Sequence, residues 1–241
     1  MVMLAVMIAG LVSLGLSGDY VYFGTIDGAL PLRAMLVISP IAGVLGGVMG
    51  GLFARSLIVM TRPGPPWLML IKSRPVMFAT FCGLVVAITG WATQGLTWGT
   101  GYDTTRQLLT GHSLSMMFGP AKFIASLATA LSGAPGGIFA PSLAVGAGLG
   151  QMISGFFPSS AAGAVVLLGM TGYFTGVVRA PMTAVIIMME MTADRTMILP
   201  LFATALIADA VSAMICRHKL YHALSNPFRS TKMPQDKAVA P

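Results

Sequence analysis

Charge is what this sequence has least of. Only 9% of its 241 residues are Asp, Glu, Lys or Arg, against roughly 25% in a soluble globular domain. Acids are scarcer still, with 7 Asp and Glu in all. No paired carboxylates and no His–Asp–Ser set occur at useful spacing, so the residues hold no catalytic group and argue against an enzyme. Cysteine is limited to Cys82 and Cys216. Each sits in an apolar run and reads as a thiol in a lipid-facing helix, which makes neither a disulfide framework nor a metal site. His112, His218 and His222 lie near loops or helix ends without the paired spacing of metal ligands, and the 19 Met read as soft packing. The sequence therefore calls for no metal and no cofactor. A basic segment is missing ahead of the apolar run Met1–Leu16, which argues against a signal peptide. The chain reads as one that begins inside a membrane helix, as a fragment or a product cut short at its start.

What is there is hydrophobic. Apolar residues make up 56% of the chain and the mean hydropathy is +0.84. One soluble core cannot hide that much apolar surface, so lipid must be the solvent for most of it. The net charge of +7 is scattered in small clusters rather than gathered on one face. That excludes a nucleic-acid interface and fits basic loops on the cytoplasmic side of a membrane.

Along the chain, apolar stretches are predicted at Met1–Leu16, Arg33–Met60, Pro75–Trp91, Met116–Leu131, Ser142–Phe157, Ser160–Val177, Ala180–Met191 and Thr196–Ile215. The stretch Ser17–Leu32 carries acids but no Lys or Arg and reads as external. Arg62, Pro63, Pro65, Pro66, Lys72 and Arg74 form a basic break that reads as cytoplasmic. Trp67, Trp91 and Trp98 fall near span ends, as interfacial Trp does. Gly43, Gly46, Gly47, Gly50 and Gly51 give one helix a smooth face for close packing. Several spans fall short of the roughly 20 residues that cross a bilayer. Unequal, interrupted spans are typical of transport proteins, in which non-helical backbone lines a site at membrane depth. From about Tyr221 a short amphipathic helix and a polar tail are expected.

The segment with chemistry is Ser132-Gly-Ala-Pro-Gly-Gly-Ile-Phe-Ala-Pro141. Gly136 and Gly137 permit unusual backbone conformations, and Pro141 suits the first turn of a helix. A helix is thus predicted to start near Phe139 and run on through Ala147. Its first amides have no partner and carry partial positive charge. An anion on the amides of Ile138 and Phe139 would satisfy them, held by partial charge without a formal cation and so released quickly. Taken alone, the Gly pair is read more readily as a Gly/Pro loop capped by Ser132 or water. Among the other polar residues, Glu190 reads as a structural ion pair or cap. Asp209, mid-span, reads as hydrogen-bonded to backbone or to Ser/Thr, with a proton-relay role as the lesser reading. Lys122, near Pro120, reads as snorkelling from a helix end. Tyr221 alone reads as an interfacial aromatic.

The run SGAPGGIFAPSLAVGAG, Ser132 to Gly148, resembles the signature of the second half of CLC chloride channels and transporters. Arg179-Ala-Pro-Met-Thr183, Glu190-Met-Thr192 and Lys219-Leu-Tyr221 resemble further segments of that family. The resemblance extends to about Phe228. It implies an all-α integral membrane protein, a multi-span helical bundle with short, broken and re-entrant helices, forming the second half of an inverted repeat. Residues 1–228 would be the transmembrane domain and 229–241 a short cytoplasmic tail. It implies chloride transport, with the central anion on the Ile138 and Phe139 amides and a hydrogen bond from the Tyr221 hydroxyl. Gly136, Gly137 and Pro141 would shape the helix start. It also implies a multi-pass protein of the bacterial inner membrane, surrounded by lipid. The family forms homodimers, here through the first helix and the helices around Ala161–Thr192, with Ala161, Ala162 and Gly163 as small packing faces. The family's Gly-x-Glu-Gly-Pro loop, which carries the external gate, and its Ser-containing loop do not occur here. The sequence therefore holds half an ion site and no gate, and leaves channel and proton-coupled exchanger both open.

Overall fold

The computed structural model describes residues 2–18, 21–24, 31–61, 73–134, 136–157, 161–192 and 196–230. The regular elements among them are α-helices: α1 (Val2–Ser17), α2 (Leu32–Thr61), α3 (Pro75–Ala92), α4 (Tyr102–Leu109), α5 (Phe118–Leu131), α6 (Phe139–Ser154), α7 (Ala162–Val178), α8 (Pro181–Thr192), α9 (Ile198–Ile215) and α10 (Leu220–Ser230). Each predicted apolar stretch is a helix, displaced by up to two residues at its ends, or by three for the stretch predicted at Ser142–Phe157. Arg33–Met60, Pro75–Ala92 and Ile198–Ile215 are long and apolar enough to cross a membrane, and four other apolar helices are shorter. The expected mixture of full and short spans is present. Residues 62–72 of the basic Pro-rich break, Trp67 among them, together with Pro158 and the tail from Thr231, lie outside the described residues.

α7 is the centre of the bundle. Every residue from Gly163 to Val177 is buried, and α2, α6 and α9 pack around it. Backbones meet there almost without side chains. A Cβ on Gly46 of α2 would lie 2.3 Å from the carbonyl carbon of Gly172, and one on Gly50 would lie 2.6 Å from that of Gly176. On the other side, a Cβ on Gly146 of α6 would come within 2.6 Å of Met170 Cα. Helices this close gain dispersion contacts along their whole length, which is how apolar helices associate where lipid offers no hydrophobic drive. The glycines of α2 serve two neighbours. Gly46 and Gly50 face α7, while Gly43, Gly47 and Gly51 face Ile207, Ala208 and Ser212 of α9.

The burial of α7 revises the packing expected of its first turn. Ala161 and Gly163 are covered by the chain itself, so they are not free to meet a second copy. The cysteines are likewise inside: Cys82 and Cys216 are free thiols, and both are buried rather than lipid-facing. α1, by contrast, has no buried residue. Between α3 and α5, where the sequence suggested a polar connection with one apolar patch, the chain forms the short helix α4. Its Leu108 and Leu109 enter the core and its Asp103 and Arg106 stay outside.

Candidate functional site

α6 begins where the sequence placed it. Ile138 is the N-cap, with φ −93° and ψ −9°, and no side chain caps the turn. The Ser142 amide and hydroxyl both donate to the Ile138 carbonyl, at 3.1 and 2.6 Å. Pro141, in the first turn, has no N–H to leave unpaired. Among the described residues the Ile138 and Phe139 amides meet no acceptor. Ser132, a possible cap in the sequence, donates instead to the Thr129 carbonyl at the end of α5.

Two side chains fix this terminus from opposite sides. Phe139 packs edge-on against Phe174, ring centroids 5.0 Å apart. Ile138 packs against a separate apolar cluster that contains Phe53, Tyr173 and Leu220. The helix start is thereby wedged in place while its amides stay bare. Gly136 and Gly137 play a different part from the one expected. Neither has a left-handed φ, and a Cβ on either would meet nothing within 4 Å. The left-handed residue of the loop is Gly133, at φ +82°. What the Gly pair supplies is open space along exposed backbone.

That space belongs to a cavity of about 330 Å³ whose wall includes Gly136, Gly137, Ile138, Thr97, Gly99 and Lys122. Lys122 overturns two expectations. It does not snorkel outward from α5: it is 2% exposed. Its ammonium donates to the carbonyls of Thr97 at 2.8 Å and Gly99 at 2.7 Å, and no carboxylate pairs with it among the described residues. A formal cation therefore stands in the same cavity as the uncapped helix start. Its partners lie on the turn after α3, 25 and 23 residues away. The signal available in the sequence was a lone Lys inside an apolar helix with no acid at helical spacing.

The remaining predicted residues are distributed differently. Tyr221 stands in the first turn of α10 and is 53% exposed. Its hydroxyl makes no hydrogen bond among the described residues, and it is not part of the cavity wall. Its neighbour Leu220 is fully buried in the apolar cluster that Ile138 also packs against, and α10 itself packs on α2 and α7. Glu190 is exposed near the end of α8 and forms no ion pair among the described residues. Asp209 is ion-paired, with its Oδ1 3.1 Å from Arg179 Nε, where a bond to backbone or a hydroxyl was expected. No cluster of three or more His, Cys, Asp or Glu suited to a metal occurs among the described residues.

Comparison with known proteins decides the family. Residues 1–213 match the voltage gated chloride channel family. The chain belongs to that family. It is 30% identical over 202 residues to the voltage-gated ClC-type chloride channel ClcB of Escherichia coli (strain SMS-3-5 / SECEC), covering 77% of this chain and 45% of the relative. It is 31% identical over 223 residues to the H(+)/Cl(−) exchange transporter ClcA of Yersinia pestis bv. Antiqua (strain Angola), covering 85% and 45%. A slow cyanobacterial Cl−/H+ antiporter superposes with a TM-score of 0.65 at 25% identity, over 86% of this chain and 50% of that one. A CLC-type fluoride/proton antiporter shares the fold, with a TM-score of 0.63 at 17% identity over 78% and 48%. The chain thus spans about half the length of the relatives it matches. It is an all-α, multi-pass integral membrane protein of a family of channels and transporters rather than enzymes, and these curated relatives are bacterial.

Proposed function

We propose that the chain moves chloride across a membrane as part of a CLC-type protein, of which it forms the second half. The observation that carries this reading is the joint wall of one cavity: an uncapped helix start and a buried ammonium with no carboxylate partner among the described residues. Both features are positive, and both are short of a counter-charge. A buried charge without a partner is costly, the more so in a membrane, and a small anion resolves both shortages together. The Ile138 and Phe139 amides would hold the anion by partial charge. Lys122, with its charge shared between two carbonyls, would raise the local potential without gripping the ion. Tyr221 would donate its hydroxyl from the start of α10. Gly136 and Gly137 keep side chains out of the ion's way. The relatives named for chloride transport fit this reading.

Chloride efflux from liposomes containing this chain tests it. Efflux that falls when Lys122 is replaced by Met supports the assignment, and wild-type-like efflux from that variant overturns it. A second reading is favoured by the exposure of Gly136, Gly137 and Tyr221 and by the share of the relatives covered. The chain then acts as a half-subunit, and ions move only when a chain bearing the Gly-x-Glu-Gly-Pro loop is co-reconstituted. Flux in the mixture but not in either component alone decides for it. Without such complementation and without flux, the chain is a non-conducting remnant. In a conducting form we infer a homodimer whose interface uses α1 and the exposed side of α8. Crosslinking in membranes tests that arrangement.

A further inference from the structure

Arg179 is the left-handed C-cap of α7, at φ 58° and ψ 47°, an unusual conformation for a residue with a Cβ. Its amide donates to the Thr175 carbonyl at 2.7 Å, which closes the helix. The left-handed turn sends the chain on toward α8 while the side chain reaches α9. There Nε meets Asp209 Oδ1 at 3.1 Å, and one terminal nitrogen donates to the carbonyls of Cys216 at 3.1 Å and Arg217 at 3.2 Å. Those carbonyls lie just past the end of α9, in the short segment that leads into α10. The same corner is tied a second time, by the Ser212 hydroxyl donating to the Gly176 carbonyl at 2.6 Å. Arg179 is 13% exposed and Asp209 is 32% exposed, so the pair is partly shielded from water. Asp209 fixes the guanidinium plane, and the plane fixes the exit from α9.

We propose that Arg179 and Asp209 are positioning residues that set where the first turn of α10, and with it Tyr221, stands relative to the start of α6. Only three residues separate Arg217, whose carbonyl is bonded, from Tyr221, and one of them, Leu220, is buried in the cluster that Ile138 packs against. A guanidinium suits this task. It presents several donors in one rigid plane, so a single side chain holds a carboxylate and two carbonyls in fixed relation. A lysine has the charge but not the plane. The functional half of the proposal rests on the anion-path reading above; the geometric half does not.

Two measurements on the full chain in liposomes separate them. Spin labels at Ala134→Cys and His222→Cys, with Cys82 and Cys216 replaced by Ala, report the distance between the α6 loop and α10. One narrow distance population is expected with Arg179 present. A broadened or second population is expected in Arg179→Gln and, less markedly, in Arg179→Lys and Asp209→Asn. An unchanged narrow population in all of these variants overturns the latch. The second readout is the chloride-to-nitrate permeability ratio. Arg179→Lys should shift it by about two- to thirtyfold, the range of coupling between sites joined through packed elements. The same change made on Tyr221→Phe should add little, because the two act through one group. A full additional shift on that background overturns the route through Tyr221, whereas a merely structural fault would lower total flux and leave the ratio alone. If the wild-type chain passes no anion while the distances respond as expected, the transport reading fails and the latch stands.

Discussion

Two helix ends in this protein answer the same physical problem in opposite ways. At the exit from α9, the free carbonyls of Cys216 and Arg217 meet the guanidinium of Arg179, which Asp209 anchors in turn. At the start of α6, the amides of Ile138 and Phe139 meet no acceptor among the described residues. Buried or half-buried backbone groups are ordinarily paired. An end that the sequence caps with a charged side chain is scaffold. An end left bare, beside glycines whose missing side chains would have fitted, is on the proposed reading the place where an anion binds.

The contrast breaks most severely if the satisfied end is stripped. Arg179→Ala leaves a partly shielded carboxylate and two carbonyls unmet. A loss of about 2–4 kcal/mol of stability is expected, below the full buried-pair value because Asp209 is partly exposed, and thermal unfolding in detergent measures it. Lys122→Met strikes the other end. Chloride affinity, read by calorimetry in whichever assembly conducts, should fall at least about tenfold, the equivalent of one lost charge-assisted contact. Tyr221→Phe removes a hydroxyl with no bond among the described residues, so stability should hold. Chloride affinity should drop by about fivefold, near 1 kcal/mol, and an unaltered affinity removes Tyr221 from the path. Gly137→Ala sharpens the comparison most finely. Its Cβ enters open space at an ordinary φ, so unfolding should move by less than about 0.5 kcal/mol while chloride binding weakens. A large stability loss there would mean that the glycine serves the fold and not the ion.

How far the sequence reveals this arrangement depends on the range of the interaction. Helix positions follow from local apolar runs broken by Gly and Pro, and the start of α6 follows from Gly136, Gly137 and Pro141. Those signals act within a turn or two of chain. Local sequence does not reveal the roles of Lys122 and Asp209, because their partners are remote. Lys122 bonds carbonyls 25 and 23 residues away, and Asp209 pairs with a residue 30 positions away. Glycine was misjudged for the same reason. Gly136 was read as a backbone device, although nothing local distinguishes a glycine that bends the chain from one that leaves room. Gly46 and Gly50 were read correctly as a packing face, but which helix they faced depended on contacts some 126 residues away along the chain (172 − 46). α4 is amphipathic over only eight residues, too short a stretch for its period to stand out within a polar connection.

The seam between α2 and α7 has a mechanical consequence. Where Gly46 lies on Gly172 and Gly50 on Gly176, no rotamer is available to absorb a change, so a perturbation on either helix is transmitted as a rigid displacement of the other. α6 abuts α7 through a similar side-chain-free contact at Gly146. The bare terminus at Ile138 is therefore held through stiff couplings in series, and a single added methyl in either seam would be felt as misalignment a helix away.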